Sequence, residues 1–197
     1  MESRVKRPEL TLPEVESAAL SALYHGATAI LEYGSGGSTV LAAALPEKRI
    51  FTVESDAAWL GMMQEWFAQN PPVSPPELHH GDVGPTKRWG YPASTASFLL
   101  WPNYAQTVWD RADFAMPEVV LVDGRFRLAC MLTVAWRMTR PLVMLVDDYS
   151  GRPGYHEAES MLGAPQMIGR LARFDLVPGL IPMTRLHLVV DSHLRAL

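Results

Sequence analysis

The chain has 197 residues, 48% of them hydrophobic and 19% charged, with a net charge of −4. That length fits one domain with a sizeable core, and the acidic balance argues against bulk attraction to nucleic acid. No apolar run approaches the roughly 18 residues that span a bilayer. The start, "MESRVKRPEL", lacks the apolar centre of a secretory signal, and the single cysteine, Cys130, leaves no internal disulfide. A cytoplasmic protein with no membrane partner is the expectation.

Elements follow in alternation. Residues 1–28 form an N-terminal helical segment: "EVESAALSALYH" after Pro13 has amphipathic spacing, with Thr11 as N-cap. A short β run, Ala29 to Tyr33, leads into the turn "GSGG" and a helix to about Leu45. "RIFTVES" is a strand. "AAWLGMMQEWF" puts Trp59, Leu60, Met63, Trp66 and Phe67 on one helical face. "ELHHGD" is a short strand, on which His79 and His80 point to opposite faces and cannot share a metal. "EVVLVDG" and "LVMLVDD" are buried strands on either side of the helix "FRLACMLTVAWRM", and "HEAESMLG" opens a further helix. "RFDLVP" and "RLHLVVD" read as a terminal strand pair. The fold class is therefore α/β: a doubly wound, mostly parallel seven-stranded sheet with an antiparallel edge hairpin and helices on both faces.

Residues 83–117 interrupt this rhythm with a stretch rich in aromatic residues, among them Trp89, Tyr91, Phe98, Trp101, Tyr104 and Trp109. One reading is a helix from Pro102 to Asp113 with a packed lead-in. The other is a lid whose loop "GPTKRWGYP" roofs an acceptor. Lys87, Arg88, Arg125, Arg127 and Arg152 would then share a rim suited to a small acceptor carrying carboxylate or phosphate.

The glycine turn discriminates among ligands. No lysine follows it, so it is not a phosphate-binding P-loop. The third glycine of a dinucleotide fingerprint would stand at Thr39, which weakens an NAD-dependent oxidoreductase reading. What stands is E-x-G-x-G: Glu32, Gly34 and Gly36. Glu54 at the end of the second strand can accept both hydroxyls of a ribose. Asp82 closes the third strand, where it is either a turn residue or an acceptor for an adenine amine.

Taken in order, E-x-G-x-G, Glu54, "GD" at 81–82 and "VDG" at 122–124 resemble the class I S-adenosylmethionine-dependent methyltransferases. The resemblance covers Ala29 to Tyr149 well and the rest in outline, and implies a single methyltransferase-like domain over 1–197. It implies S-adenosylmethionine beside Gly34, Ser35 and Gly36, with Glu32 linked to the methionine amino group through water or backbone. Glu54 would hold the ribose, Asp82 the adenine, and Asp123 would lie near the donor. Ser38 departs from the pattern, where many members have a third glycine. Asp123 followed by Asp147 and Asp148 resembles the catechol-type O-methyltransferases, which bind a divalent metal there, but the asparagine usual after the strand-five aspartate is missing. A metal is not the expectation.

Asp123 and His156 can serve as base and Arg125 as an anion clamp, Asp123 and Arg125 following the fourth strand and His156 the fifth. The helix "RLACMLTVAWRM" is apolar nearly all round, so its outer side needs cover from another element, such as the first helix, or from a second subunit in a homodimer. A non-catalytic binding protein on the same fold is a third reading beside methyltransferase and oxidoreductase.

Overall fold

The computed structural model describes residues 5–179 and 183–196. In chain order the elements are α1 (Glu14–Gly26), β1 (Ala29–Tyr33), α2 (Gly37–Ala43), β2 (Arg49–Glu54), α3 (Ala57–Gln69) and β3 (Pro76–His80). A two-stranded ribbon, β4 (Thr86–Lys87) and β5 (Tyr91–Pro92), precedes α4 (Pro102–Gln106). Then come β6 (Val119–Val122), α5 (Arg127–Arg137), β7 (Leu142–Val146), α6 (Glu159–Leu162), β8 (Gln166–Ile168), β9 (Leu171–Leu176) and α7 (Leu186–Ser192). The seven-stranded sheet runs β3-β2-β1-β6-β7-β9-β8. Its first five strands are parallel, and β9 and β8 are antiparallel additions. Strand order reverses between β1 and β6, the place where ligands bind in open α/β sheets.

Period-two alternation divides the core into two layers. Ile30, Ile50, Leu121 and Leu145 pack with Leu20, Tyr24, Val40 and Met63 of α1, α2 and α3. Leu31, Val53, Val120 and Val146 pack on the other face with Tyr104, Leu128, Leu132 and Leu188 of α4, α5 and α7. No helix among the described residues is long and apolar enough to cross a membrane.

The edge hairpin is present, but a different strand makes it. "RLHLVVD" is helical, forming α7, and β9 pairs instead with β8, whose three residues carry too short a pattern to read as a strand. Short apolar runs fit either period, and α7 satisfies the helical one by burying Leu188 and Val189 against α5. Thr11 is not the N-cap of α1. Pro13 holds that position, its carbonyl accepting from the Ser17 amide at 2.8 Å, while Thr11 lies in the irregular segment before it. The helical reading of residues 83–117 holds in part: the stretch from Pro102 is helical to Gln106 and continues as a 3-10 turn to Asp110. Trp101 at the N-cap of α4, Tyr104 within it and Trp109 on the 3-10 turn after it are core residues, whereas Trp89 stands 71% exposed.

α5 is covered as its composition requires, by the chain itself. α4, the 3-10 segment Pro153–Ala158 and α7 pack on it, and α1 lies across the sheet. Trp136 is 55% exposed, but Leu128, Met131, Leu132 and Val134 are fully covered within the chain.

Candidate functional site

A cavity of about 400 Å³ opens at the carboxyl ends of β1, β2, β6 and β7. Its floor is the meeting of two glycine turns. Gly34 takes a left-handed φ of 104°, and a Cβ there would lie 2.8 Å from the Gly124 amide nitrogen. At Gly124 a Cβ would strike the Tyr104 hydroxyl. Only glycine lets the ends of β1 and β6 approach this closely. At Gly37 a Cβ would collide with the backbone of Glu9 and Leu10. The segment Pro8 to Thr11 therefore lies directly over the turn and forms one wall of the cavity.

Glu32 is wholly buried beneath the turn, between α1 and α2. Tyr24 Oη donates to its Oε1 at 2.7 Å, and Thr39 Oγ1 donates to its Oε2 at 2.6 Å. Thr39 Oγ1 also accepts from the Gly36 amide at 3.0 Å. Burial pushes the Glu32 carboxyl above its ordinary value against the pull of these donors. Glu32 thus reaches the loop through Thr39 and does not face the cavity. Thr39, which stood in the sequence only as a missing glycine, is the hydroxyl that completes the link.

Glu54 lies on the rim of the cavity, nine-tenths covered. Its Oε1 accepts from the amides of Ser55 (2.7 Å) and Asp56 (3.0 Å), and its Oε2 from the hydroxyl (3.1 Å) and amide (3.3 Å) of Ser35. Four neutral donors fix the carboxylate and leave its charge uncompensated. Trp59, expected on the packed face of its helix, turns to the cavity and donates from Nε1 to the Ser35 carbonyl at 2.9 Å. Opposite it, the loop after β4 presents Trp89, held in a left-handed conformation (φ 66°), and Gly90, whose carbonyl accepts from Ser55 Oγ at 2.9 Å.

The other wall is ionic. Arg127, buried at the start of α5, donates to the Asp123 carboxylate (3.0 Å) and carbonyl (2.8 Å), to the Gly124 carbonyl (3.0 Å) and to the Asp147 carbonyl. Arg170, in the turn between β8 and β9, makes a bidentate pair with Asp147 at 2.9 and 2.8 Å. Both arginines also approach Asp148, at 3.7 and 3.5 Å. Burial, reinforced by Asp147 and Asp148 and opposed by Arg127, pushes the Asp123 carboxyl up to about 7. The donor set does not fit a divalent metal, because guanidinium groups already bind Asp123 and both oxygens of Asp147. Among the described residues, no group of three or more His, Cys, Asp or Glu is arranged to hold one.

The cavity thus brings together Gly34, Ser35, Gly36, Glu54, Asp123, Arg125, Asp147 and Asp148. Three expected residues lie outside its lining: Glu32, buried beneath the turn, and two on loops. Asp82 is exposed and folds back on its own turn, accepting from the Gly84 amide at 2.8 Å. His156 is exposed and stacked on Tyr149, with centroids 4.8 Å apart, because the 3-10 segment carrying it packs on α5. The basic rim is also smaller than expected. Of its five residues Arg125 and Arg127 line the cavity, and Arg127 is bound to carboxylates. Arg125 lies over the Tyr91 ring at 4.1 Å, and no ion pair engages it among the described residues. Arg170 and the strap Pro8–Thr11 carried no sequence signal that marked them.

No protein-family model and no curated protein matches the sequence. Among solved structures, a methyltransferase-like protein from Silicibacter pomeroyi DSS-3 is 50% identical, with TM-score 0.90, over 95% of this chain and 97% of that one. The O-methyltransferase TomG of tomaymycin synthesis from Streptomyces achromogenes, in complex with SAM, is 19% identical with TM-score 0.59, over 86% and 82% of the two chains. An O-methyltransferase from Bacillus cereus in complex with SAH is 13% identical with TM-score 0.57, over 84% and 82%. The last two share the fold. On the strength of the first, the chain belongs to the methyltransferase-like family, with the class I S-adenosylmethionine-dependent architecture that the ordered anchors resemble.

Proposed function

We propose that the protein binds S-adenosylmethionine in this cavity and transfers its methyl group to a small anionic acceptor. The charge of the cavity carries the cofactor assignment. Six carboxylates line it (Glu9, Glu54, Asp56, Asp123, Asp147 and Asp148) against three arginines (Arg125, Arg127 and Arg170). Such a site favours a sulfonium cation and disfavours the pyrophosphate of NAD. The Gly36 amide, which a phosphate would need, is bound to Thr39, and the turn is roofed by Glu9 and Leu10. In this reading Glu54 takes the ribose hydroxyls, and the Gly34–Gly36 turn passes under the methionine part. Trp59 and Trp89 flank the nucleoside.

Methyl transfer is an in-line displacement: the acceptor atom supplies an electron pair to the methyl carbon while the carbon–sulfur bond breaks. Asp123, titrating near 7 beside the donor, suits the task of taking the acceptor's proton. Arg125 is the cavity cation without a carboxylate partner among the described residues, so it supports an acceptor that carries an anion. Neither nucleic acid nor a membrane enters this reading.

Calorimetry with S-adenosylhomocysteine tests the cofactor. Glu54→Gln keeps the shape, loses the charge and should weaken binding about tenfold, equivalent to roughly 1.5 kcal/mol. Unchanged affinity, or binding of NAD but not the homocysteine nucleoside by the parent protein, overturns the assignment. Turnover on a panel of small carboxylates and phosphates tests the acceptor. Arg125→Lys should raise KM severalfold with little change in kcat, because a point charge cannot replace the planar fork. An unaltered KM removes the clamp.

A further inference from the structure

Asp123 leaves β6, and Asp147 and Asp148 leave β7, so adjacent parallel strands deliver three carboxylates to one corner of the cavity. Asp148 adopts a left-handed backbone (φ 55°), a conformation aspartate tolerates better than most residues, and its carboxylate stays within 4 Å of both arginines. Three acids gathered this way would ordinarily draw in a hard cation. Here the chain supplies one from a distant element.

We propose that Arg170 is a built-in counter-cation for this cluster, standing where a divalent ion would otherwise be drawn, so that the site is organised without metal. The two arginines are not equivalent. The Arg127 side chain is 5% exposed and bound to three backbone carbonyls, which makes it part of the strand ends. The Arg170 side chain is 39% exposed, and the hydrogen bonds that its guanidinium makes go to the two oxygens of Asp147. It covers the lone pairs a metal would need, and it does not lose its charge at any pH the fold survives.

Its backbone is held from both sides. The Arg170 amide donates to Glu16 Oε1 of α1 at 3.0 Å, and its carbonyl accepts from the Tyr149 amide at 3.0 Å. The preceding Gly169 (φ 58°) leaves room for the Glu16 carboxylate, which a Cβ would displace. Glu16 is therefore a positioning residue: it fixes the hairpin turn, and the turn aims the guanidinium. This inference goes beyond the cofactor reading and does not depend on it.

Manganese binding to the full chain, followed by electron paramagnetic resonance without nucleoside, tests it. The parent should show only weak, unsaturable association. Arg170→Gln should gain a saturable site about tenfold or more tighter than anything in the parent, and adding Asp147→Asn should abolish it. Arg170→Lys keeps the charge but cannot span both oxygens of Asp147, so it should fall between parent and Arg170→Gln. It carries the test if Arg170→Gln does not fold. Saturable manganese binding by the parent overturns the proposal. So does a folded Arg170→Gln with no gain, or, where that variant does not fold, an Arg170→Lys indistinguishable from the parent. Because manganese alone is the probe, a failure here leaves S-adenosylhomocysteine binding untouched, and the converse holds.

Discussion

The two sides of the switch point solve the same problem differently. On the β1–β2 side, Glu32 and Glu54 are held by hydroxyls and backbone amides, all neutral. On the β6–β7 side, Asp123 and Asp147 are held by arginines. Neutral donors orient a carboxylate and leave its charge available to a ligand; a guanidinium orients it and consumes the charge. The first arrangement leaves Glu54, on the cavity rim, free to attract a cationic cofactor, while Glu32 beneath the turn holds the loop through Thr39. The second suits a wall that must hold its shape and manage one proton. A field of six acids is thereby divided into a part that recruits and a part that is internally balanced.

The sharpest way to break this comparison is on the neutral side. Thr39→Val preserves volume and removes the hydroxyl that ties Glu32 to the Gly36 amide. The carboxylate keeps Tyr24 but loses a charge-assisted bond in a fully buried place, which should cost about 2 kcal/mol, or a fall in Tm of roughly 4–8 °C for a chain this size. The freed Gly36 amide should also loosen the turn and weaken S-adenosylhomocysteine severalfold. Calorimetric melting and ligand titration check both. A variant with unchanged Tm would mean that Tyr24 alone satisfies Glu32, and the relay through Thr39 would fall.

The same contrast separates what the sequence disclosed from what it hid. The neutral side is built from near neighbours: Ser35 to Glu54 spans 19 residues, Glu32 to Thr39 seven, and Ser55 adjoins Glu54. Its glycines and acids fall at the ends of strands whose apolar runs are plain, so their positions could be read from spacing. The ionic side is assembled over distance. Arg170 reaches Asp147 across 23 residues, and Glu16 reaches Arg170 across 154. Nothing local marks either arginine as different from a surface charge, and β8, which sets the turn, is three residues long. The sheet, its parallel core and the glycine turn were legible because period and punctuation are local. His156 and Asp82 fall outside the cavity lining because a loop after a strand need not turn toward the cavity: packing on α5 holds one, and a two-residue turn holds the other.

The ionic side can be tested through its proton. Asp123 has Arg127 against it, with Asp147 and Asp148 beside it, and Arg170 beyond them. Burial and the two like charges outweigh Arg127, so its folded value of about 7 stands well above the ordinary aspartate range. A carboxyl raised on folding makes the native state bind more protons than the unfolded chain across that interval. Stability attributable to Asp123 is therefore present at low pH and declines as pH rises from about 4 to about 7, after which it levels. Asp123→Asn mimics the protonated form and should escape the decline. It also forfeits the ion pair with Arg127, but that arginine keeps three carbonyl acceptors, so relief of repulsion prevails over the loss. The Asp123 side chain is a third exposed, and screening reduces the effect to about 1 kcal/mol between about pH 5 and about pH 8. Urea denaturation of parent and variant at those two values measures it. The variant should gain on the parent as pH rises; His79 and His193, whose values burial lowers, titrate in both proteins and cancel in the difference. Parallel profiles would mean that Arg127 fully compensates Asp123, and that the proton on this side of the cavity belongs to another group.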